Sequence, residues 1–290
     1  MTMRVAVLGA GYVGLALCRR LTDAHDVVGV RRSNLDAVRA TGARAVRADI
    51  TDPDALDAVP EVDALVFVAS SGGRGAEAAR RVYVEGLKTV IASFRERANP
   101  PERLVYTSST GVYGDHGGDW VDETTPVEPT TEKTRVLLDA ERVATGVPMD
   151  ATVVRFAGLY GPGRYRLERY LEGPVTAGYL NMLHRDDAAG VLAFVLRERS
   201  RTDLLLAVDD DPVEKHAFAD WLADACGVAR PAKRSKAERL AAGELSPAAR
   251  RRLLTSKRCS NARLRGLGYE FAYPTYRTGY RAAVEAYRTG

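Results

Sequence analysis

The sequence predicts a doubly wound α/β fold on a parallel sheet. Two observations carry that expectation: short apolar runs alternate with helical-period segments through brief loops, and the first such joint is rich in glycine. "RVAVLGA" (4–10) is an apolar run ending in glycine, the pattern of a buried parallel strand. "YVGLALCRRLTDA" (12–24) spaces its apolar residues as a helix does, with basic residues on the other side. "DVVGV" (26–30) predicts a second strand and "NLDAVRATG" (34–42) a second helix closed by Gly42. "ARAVRADI" (43–50) and "DALVFVAS" (63–70) predict the third and fourth strands, joined by right-handed crossovers.

The first strand–helix joint reads Gly9-Ala10-Gly11-Tyr12-Val13-Gly14. Each glycine has its own physical reason in this setting. Gly9 makes the turn, Gly11 admits a pyrophosphate close to the backbone, and Gly14 lets the helix approach the strand. The amides opening the helix would receive the phosphate charge. Where an acidic residue would bind the ribose of NAD(H), the second strand ends in Arg31, Arg32 and Ser33. A guanidinium fork suits a phosphate, so NADP(H) is expected in preference to NAD(H).

Bulk composition narrows the classes. The 290 residues are 46% hydrophobic and 28% charged, ordinary for a soluble globular protein. Against 38 acidic residues stand 42 Lys and Arg, and the pI is about 9.0. That mild basicity suits anionic small molecules and does not argue for nucleic acid. Cys18, Cys226 and Cys259 lie far apart, with no metal spacing, which implies idle thiols in a reduced compartment. No apolar run nears the roughly 18 residues of a membrane span, and no signal-peptide layout opens the chain. A cytoplasmic protein is expected. Between 230 and 265 twelve basic residues face only Glu238 and Glu244, which reads either as solvated helix faces or as an anion site.

"GAGYVG", "RADITD" (47–52), "VYTSSTGVYGD" (105–115), "VDETTPVEP" (121–129), "VVRFAGLYGPG" (153–163), "LHRDDAAG" (183–190) and the tail "SNARLRGLGYEFAYPTYRTGYRAAV" (260–284) follow one another as they do in a known family. In their order and spacing the chain resembles the extended short-chain dehydrogenase/reductases, the NAD-dependent epimerase/dehydratase group. The resemblance spans essentially the whole chain. It implies a single Rossmann-type domain over 1–290 with about seven strands, to which 160–290 contributes segments of a small substrate-binding lobe covering the cofactor.

The resemblance also implies site residues. Asp49 and Ile50 match the pair contacting adenine, and Ala69, Ser70 and Ser71 match the loop beside pyrophosphate and ribose. Ser109 matches the hydroxyl that hydrogen-bonds the reacting oxygen. With Pro129 and Glu141 aligned, Lys133 stands where the catalytic Tyr belongs and Leu137 where its Lys partner belongs; Tyr83 stands at the supporting Asn. The Tyr works because a nearby ammonium lowers its pKa, and Leu137 supplies no charge. The chain therefore resembles the atypical branch lacking the Tyr-x-x-x-Lys pair. Replacement acids are His116, flanked by Asp115 and Asp119, and Lys133.

The expected function is an NADP(H)-dependent oxidoreductase or epimerase-like enzyme acting on a small anionic, phosphorylated or nucleotide-linked substrate. The alternative is a noncatalytic NADP(H)-binding sensor or scaffold. No metal, membrane or nucleic-acid partner is expected, and family habit implies a monomer or a homodimer.

Overall fold

Residues 2–73, 75–198, 202–243 and 245–290 are described by the computed structural model. They build a seven-stranded sheet from β1 (Arg4–Leu8), β2 (Asp26–Arg31), β3 (Arg44–Arg47), β4 (Ala64–Phe67), β5 (Arg103–Ser109), β6 (Asp150–Phe156) and β7 (Leu204–Ala207). The spatial order is β7-β6-β5-β4-β1-β2-β3. Pairing is parallel from β6 through β3. The β6–β7 bonds, Val153 N–H to the Asp203 carbonyl and Ala157 N–H to that of Ala207, advance in the same sense, so this pair is parallel too. The order reverses between β1 and β4, which in an open α/β sheet is where the crevice for a ligand forms.

Burial explains why these runs are strands. Val5, Ala6, Val7 and Leu8 are fully buried, as are Leu104, Val105 and Tyr106, so both faces of the central strands are covered. The helix Glu132–Thr145 presents Val136, Leu137 and Ala140 inward, the stripe its spacing predicts. The second helix is shorter than expected, Leu35–Arg39: Asn34 before it takes left-handed backbone (φ 53°), and after it the chain passes through Ala40 and Thr41 to Gly42 at φ +84°. The third strand stops at Arg47, where the chain turns through Asp49 and Thr51.

The chain forms two compact units. The first is Met1–Val112, Glu132–Phe156 and Arg185–Leu205; the second is Tyr113–Thr131, Ala157–His184 and Leu206–Gly290. The second unit contains short two-stranded pieces, such as Val175–Thr176 beside Lys233–Arg234, around an aromatic core of Tyr160, Phe218, Tyr276 and Tyr280. Among the described residues no helix is long and apolar enough to cross a membrane, and no group of three His, Cys, Asp or Glu could hold a metal. The three cysteines are buried and free.

Candidate functional site

The Gly9–Gly14 turn follows β1 directly and opens the helix Tyr12–Leu21. Gly9 and Ala10 donate their amides to the Val30 carbonyl at 3.0 and 2.9 Å, fixing the turn to the end of β2. Gly9 has φ +95°, and a Cβ there would stand 2.4 Å from the Ala69 Cα. A Cβ on Gly14 would stand 2.6 Å from the Gly9 carbonyl oxygen. Gly11 differs: its Cβ would meet only the Gly9 oxygen, at 3.8 Å. Two glycines thus answer to close packing of the protein, while the third faces open space. The N-cap residue, Gly11, supplies no side-chain hydrogen bond to the first turn of the helix.

Arg31 ends β2, and its Nη1 is buried with no hydrogen-bond partner among the described residues. Arg32 is exposed, 3.8 Å from the Asp49 carboxylate. It also lies 3.8 Å from where a Cβ on Gly72 would stand. Ser33 is exposed beside them. The Asp49 carboxylate accepts the Thr51 amide at 3.0 Å and the Thr51 hydroxyl at 2.9 Å. Burial works to raise its pKa, but those bonds and the charges of Arg32 and Arg81 prevail and hold it below the usual value. Ile50 is buried, and its Cδ1 packs over Gly86.

After β4 the chain makes the loop Ala69–Gly73. Ala69 lies against Gly9, Ser70 is exposed, and Gly73 donates its amide back to the Ser71 carbonyl across Gly72 at φ +62°. The Ser71 amide donates to the Tyr83 hydroxyl at 3.3 Å. The first unit thus brings together the Gly9–Gly14 turn, the ends of β2 and β3, and the loop after β4.

Ser109 is the last residue of β5. Its Oγ accepts the Gly111 amide at 3.1 Å, which leaves the hydroxyl hydrogen free to donate elsewhere. Ser108, pointing to the other face, donates to Glu141 Oε1 at 2.5 Å. Glu141 is also held by Arg155, from Nε at 3.0 Å and Nη2 at 2.7 Å. This buried network ties the helix Glu132–Thr145 to β5 and β6. On that helix Lys133 is exposed and Leu137 buried.

His116 belongs to the second unit. Its Nε2 lies 2.7 Å from the Tyr113 carbonyl, which can only accept, so the ring proton sits on Nε2. The expected flanking carboxylates do not bond the ring. Asp115 is taken up by the amides of Ser256 (2.7 Å) and Gly117 (3.3 Å), an acceptor role set by the turn. Beneath this loop Lys257 is buried, with Nζ 3.3 Å from the Gly114 carbonyl, and burial pushes its pKa down.

The second unit also carries a cleft of about 520 Å³ lined by Arg169, Lys215, Arg234 and Arg239, with Tyr170 and Val175 among its apolar walls. None of these four cations has a carboxylate within 4.0 Å among the described residues. Burial, then the charges of Arg169 and Lys236, lowers the Lys215 pKa against a single opposing carboxylate, Glu214. Elsewhere in the basic run Arg230 and Lys233 pair with Asp224 and Asp220, so the run is divided between paired surface cations and unpaired cleft cations.

Sequence reading missed Glu141 and Lys257 as buried charges and Lys215 as a half-buried one. For Glu141 there was a signal, because Arg155 inside the apolar run "VVRF" requires a buried partner.

The comparisons agree with this geometry. A family model described as the NAD dependent epimerase/dehydratase family matches residues 5–206. The chain is 31% identical to a 3-diazoavenalumate denitrifying reductase of Streptomyces, across 96% of this chain and 99% of that protein. It is 28% identical to Protein YeeZ of Escherichia coli K12, across 93% and 96%. A solved structure assigned to an NAD-dependent epimerase/dehydratase of Methylobacillus flagellatus superposes with a TM-score of 0.79 at 32% identity, over 99% of this chain and 100% of that one. With the glycine turn at the switch point of a seven-stranded parallel sheet and a family match over most of its length, the chain belongs to the NAD dependent epimerase/dehydratase family.

Proposed function

We propose that this protein is an NADP(H)-dependent oxidoreductase acting on an anionic small molecule. The observation that carries the cofactor reading is the contrast within the glycine turn: Gly9 and Gly14 are packed against protein, and Gly11 opens onto space a phosphate would fill. The unpartnered Nη1 of Arg31, with Arg32 beside it, offers donors for a 2′-phosphate. Tyr12 and Val13 contribute helix-start amides, and Asp49, Ile50 and Ala69–Ser71 supply the remaining walls.

When bound, the reduced nicotinamide supplies hydride. What this chain contributes is orientation and polarisation. Ser109, already accepting from Gly111, donates its hydroxyl hydrogen to the reacting oxygen. Of the two titratable candidates, His116 is proposed to deliver the proton, and Lys133, exposed on its helix, to be dispensable. In the second unit the unpaired cations of the cleft support a substrate bearing phosphate or carboxylate.

The test is calorimetric titration with NADPH and NADH, followed by NADPH oxidation with carbonyl compounds, half of them anionic. Binding together with turnover of anionic members supports the reading. NADPH binding with no turnover across the panel favours the noncatalytic sensor or scaffold, and preference for NADH overturns the cofactor assignment.

A further inference from the structure

The helix running from Ala76 to Arg95 is interrupted by a π-helical turn, Arg81–Gly86. A π-turn inserts one residue and rotates everything after it by about 100° relative to a regular α-helix, and such turns recur at functional sites. Here the turn touches two loops at once. Gly86 is packed so closely that a Cβ would meet Thr51 Cγ2 at 3.3 Å and Ile50 Cδ1 at 3.5 Å. Arg81 adds its charge to the field at Asp49. Tyr83 reaches the other loop and accepts the Ser71 amide.

That second loop needs an outside hold. Gly73 bonds back to Ser71 over 2.6 Å with Gly72 at positive φ, a three-residue turn of a strained kind. Its neighbour Ala69 lies against Gly9, so a shift of the loop would carry into the glycine turn. The ring of Tyr83 packs on the sheet core while its hydroxyl works at the loop. An amphipathic side chain with an apolar body and a polar tip suits this duty.

We propose that Tyr83 is a positioning residue for the cofactor, whose hydroxyl latches the Ala69–Gly73 loop against the glycine turn and so shapes the pyrophosphate end of the site. This rests on the reading that NADP(H) binds in the Gly9–Gly14 turn. The adenine end is held separately, by Arg31, Arg32 and the Asp49–Thr51 turn, so the latch acts on one half of the dinucleotide.

The two halves can be probed apart. Tyr83→Phe keeps the ring and removes the latch. NADPH spans the whole site, whereas adenosine 2′-monophosphate, which lacks the 5′-phosphate, reports only the adenine end. Losing one hydrogen bond of this kind should weaken NADPH about three- to tenfold. Adenosine 2′-monophosphate should bind the variant within about twofold of the wild type, since its contacts are untouched. Equal weakening of both ligands would show a general loss of structure and overturn the latch, as would no weakening of either. If the wild type binds neither ligand, the cofactor reading itself falls, a distinguishable failure. A second measurement needs no variant. In the wild type the Ser71 amide should exchange with solvent more slowly than that of exposed Ser70, and equal rates would overturn the bond.

Discussion

Arg155 on β6 and Glu141 on the neighbouring helix meet through two hydrogen bonds, with side chains only 6% and 10% exposed. Breaking one side of a buried pair strands the other charge, so Glu141→Ala should cost about 3–5 kcal/mol. Replacing both residues with apolar ones of similar size should cost much less. Urea unfolding of the single and double variants measures the difference.

The glycine turn offers a variant that separates fold from ligand. Gly11→Ala should leave the thermal midpoint close to wild type, because its Cβ meets no atom nearer than 3.8 Å. The same change should weaken NADPH by roughly tenfold, the equivalent of about 1.4 kcal/mol. Gly9→Ala, with positive φ and a 2.4 Å clash, should instead destabilise the protein by about 2–5 kcal/mol. Calorimetry and thermal melts on both variants check this.

Cofactor choice is expected to follow Arg31 and Arg32. A charge-assisted contact to phosphate is worth about 1.5–3 kcal/mol. The double Arg31→Ala/Arg32→Ala variant should therefore lose most of its preference for NADPH over NADH while retaining NADH binding. Titration of both nucleotides against both proteins decides it.

On the helix Glu132–Thr145 the predicted effects divide by burial. Leu137→Lys should destabilise the fold by about 2–4 kcal/mol, since an ammonium would enter apolar surroundings. Lys133→Ala, at an exposed position, should leave NADPH oxidation within a few-fold of wild type, whereas a general acid or base contributes about 10²–10⁴. Ser109→Ala should be the damaging substitution. A hundredfold loss in Lys133→Ala with Ser109→Ala unaffected would reverse those roles.

The cleft predicts a pH dependence. Burial and neighbouring cations lower the pKa of Lys215 in the folded chain, so the unfolded chain binds the proton more readily. Its contribution to stability therefore rises with pH between the depressed pKa and the ordinary lysine value. An anion in the cleft favours the ammonium and raises that pKa again. Inorganic pyrophosphate should thus bind more tightly as pH falls through this window, with uptake of protons, and Lys215→Gln should abolish the uptake. Calorimetry in two buffers of different ionisation heat detects it.

Local pattern was legible where a residue's neighbours in sequence are also its neighbours in space. The strands, the glycine turn and the inward stripe of Val136, Leu137 and Ala140 all belong to that class. Element ends were less so: Asn34 in left-handed backbone and Gly42 at positive φ bound a shortened helix, and Asp49 bends the chain early. What stayed hidden was assembled from distant segments. The cleft draws Arg234 and Arg239 from the basic run but Arg169 and Lys215 from elsewhere, while Arg230 and Lys233 in the same run are neutralised by Asp224 and Asp220. Charge density along the chain does not say which cations remain unpaired. The Tyr83–Ser71 bond is similar, because it depends on one inserted helical residue that leaves no mark in composition.

The chain passes between its two units at 112/113, 131/132, 156/157, 184/185 and 205/206. No contiguous fragment therefore contains one unit whole without segments of the other. A ribosome delivering this chain has released the first six strands of the sheet well before β7, which emerges only after residue 203. The edge of β6 that β7 covers thus waits unpaired through about fifty residues of synthesis at roughly 5–20 residues per second. Truncations designed to isolate the nucleotide-binding half at a single cut should consequently yield an aggregation-prone product, and a soluble half would require the intervening segments to be spliced out and bridged by short linkers.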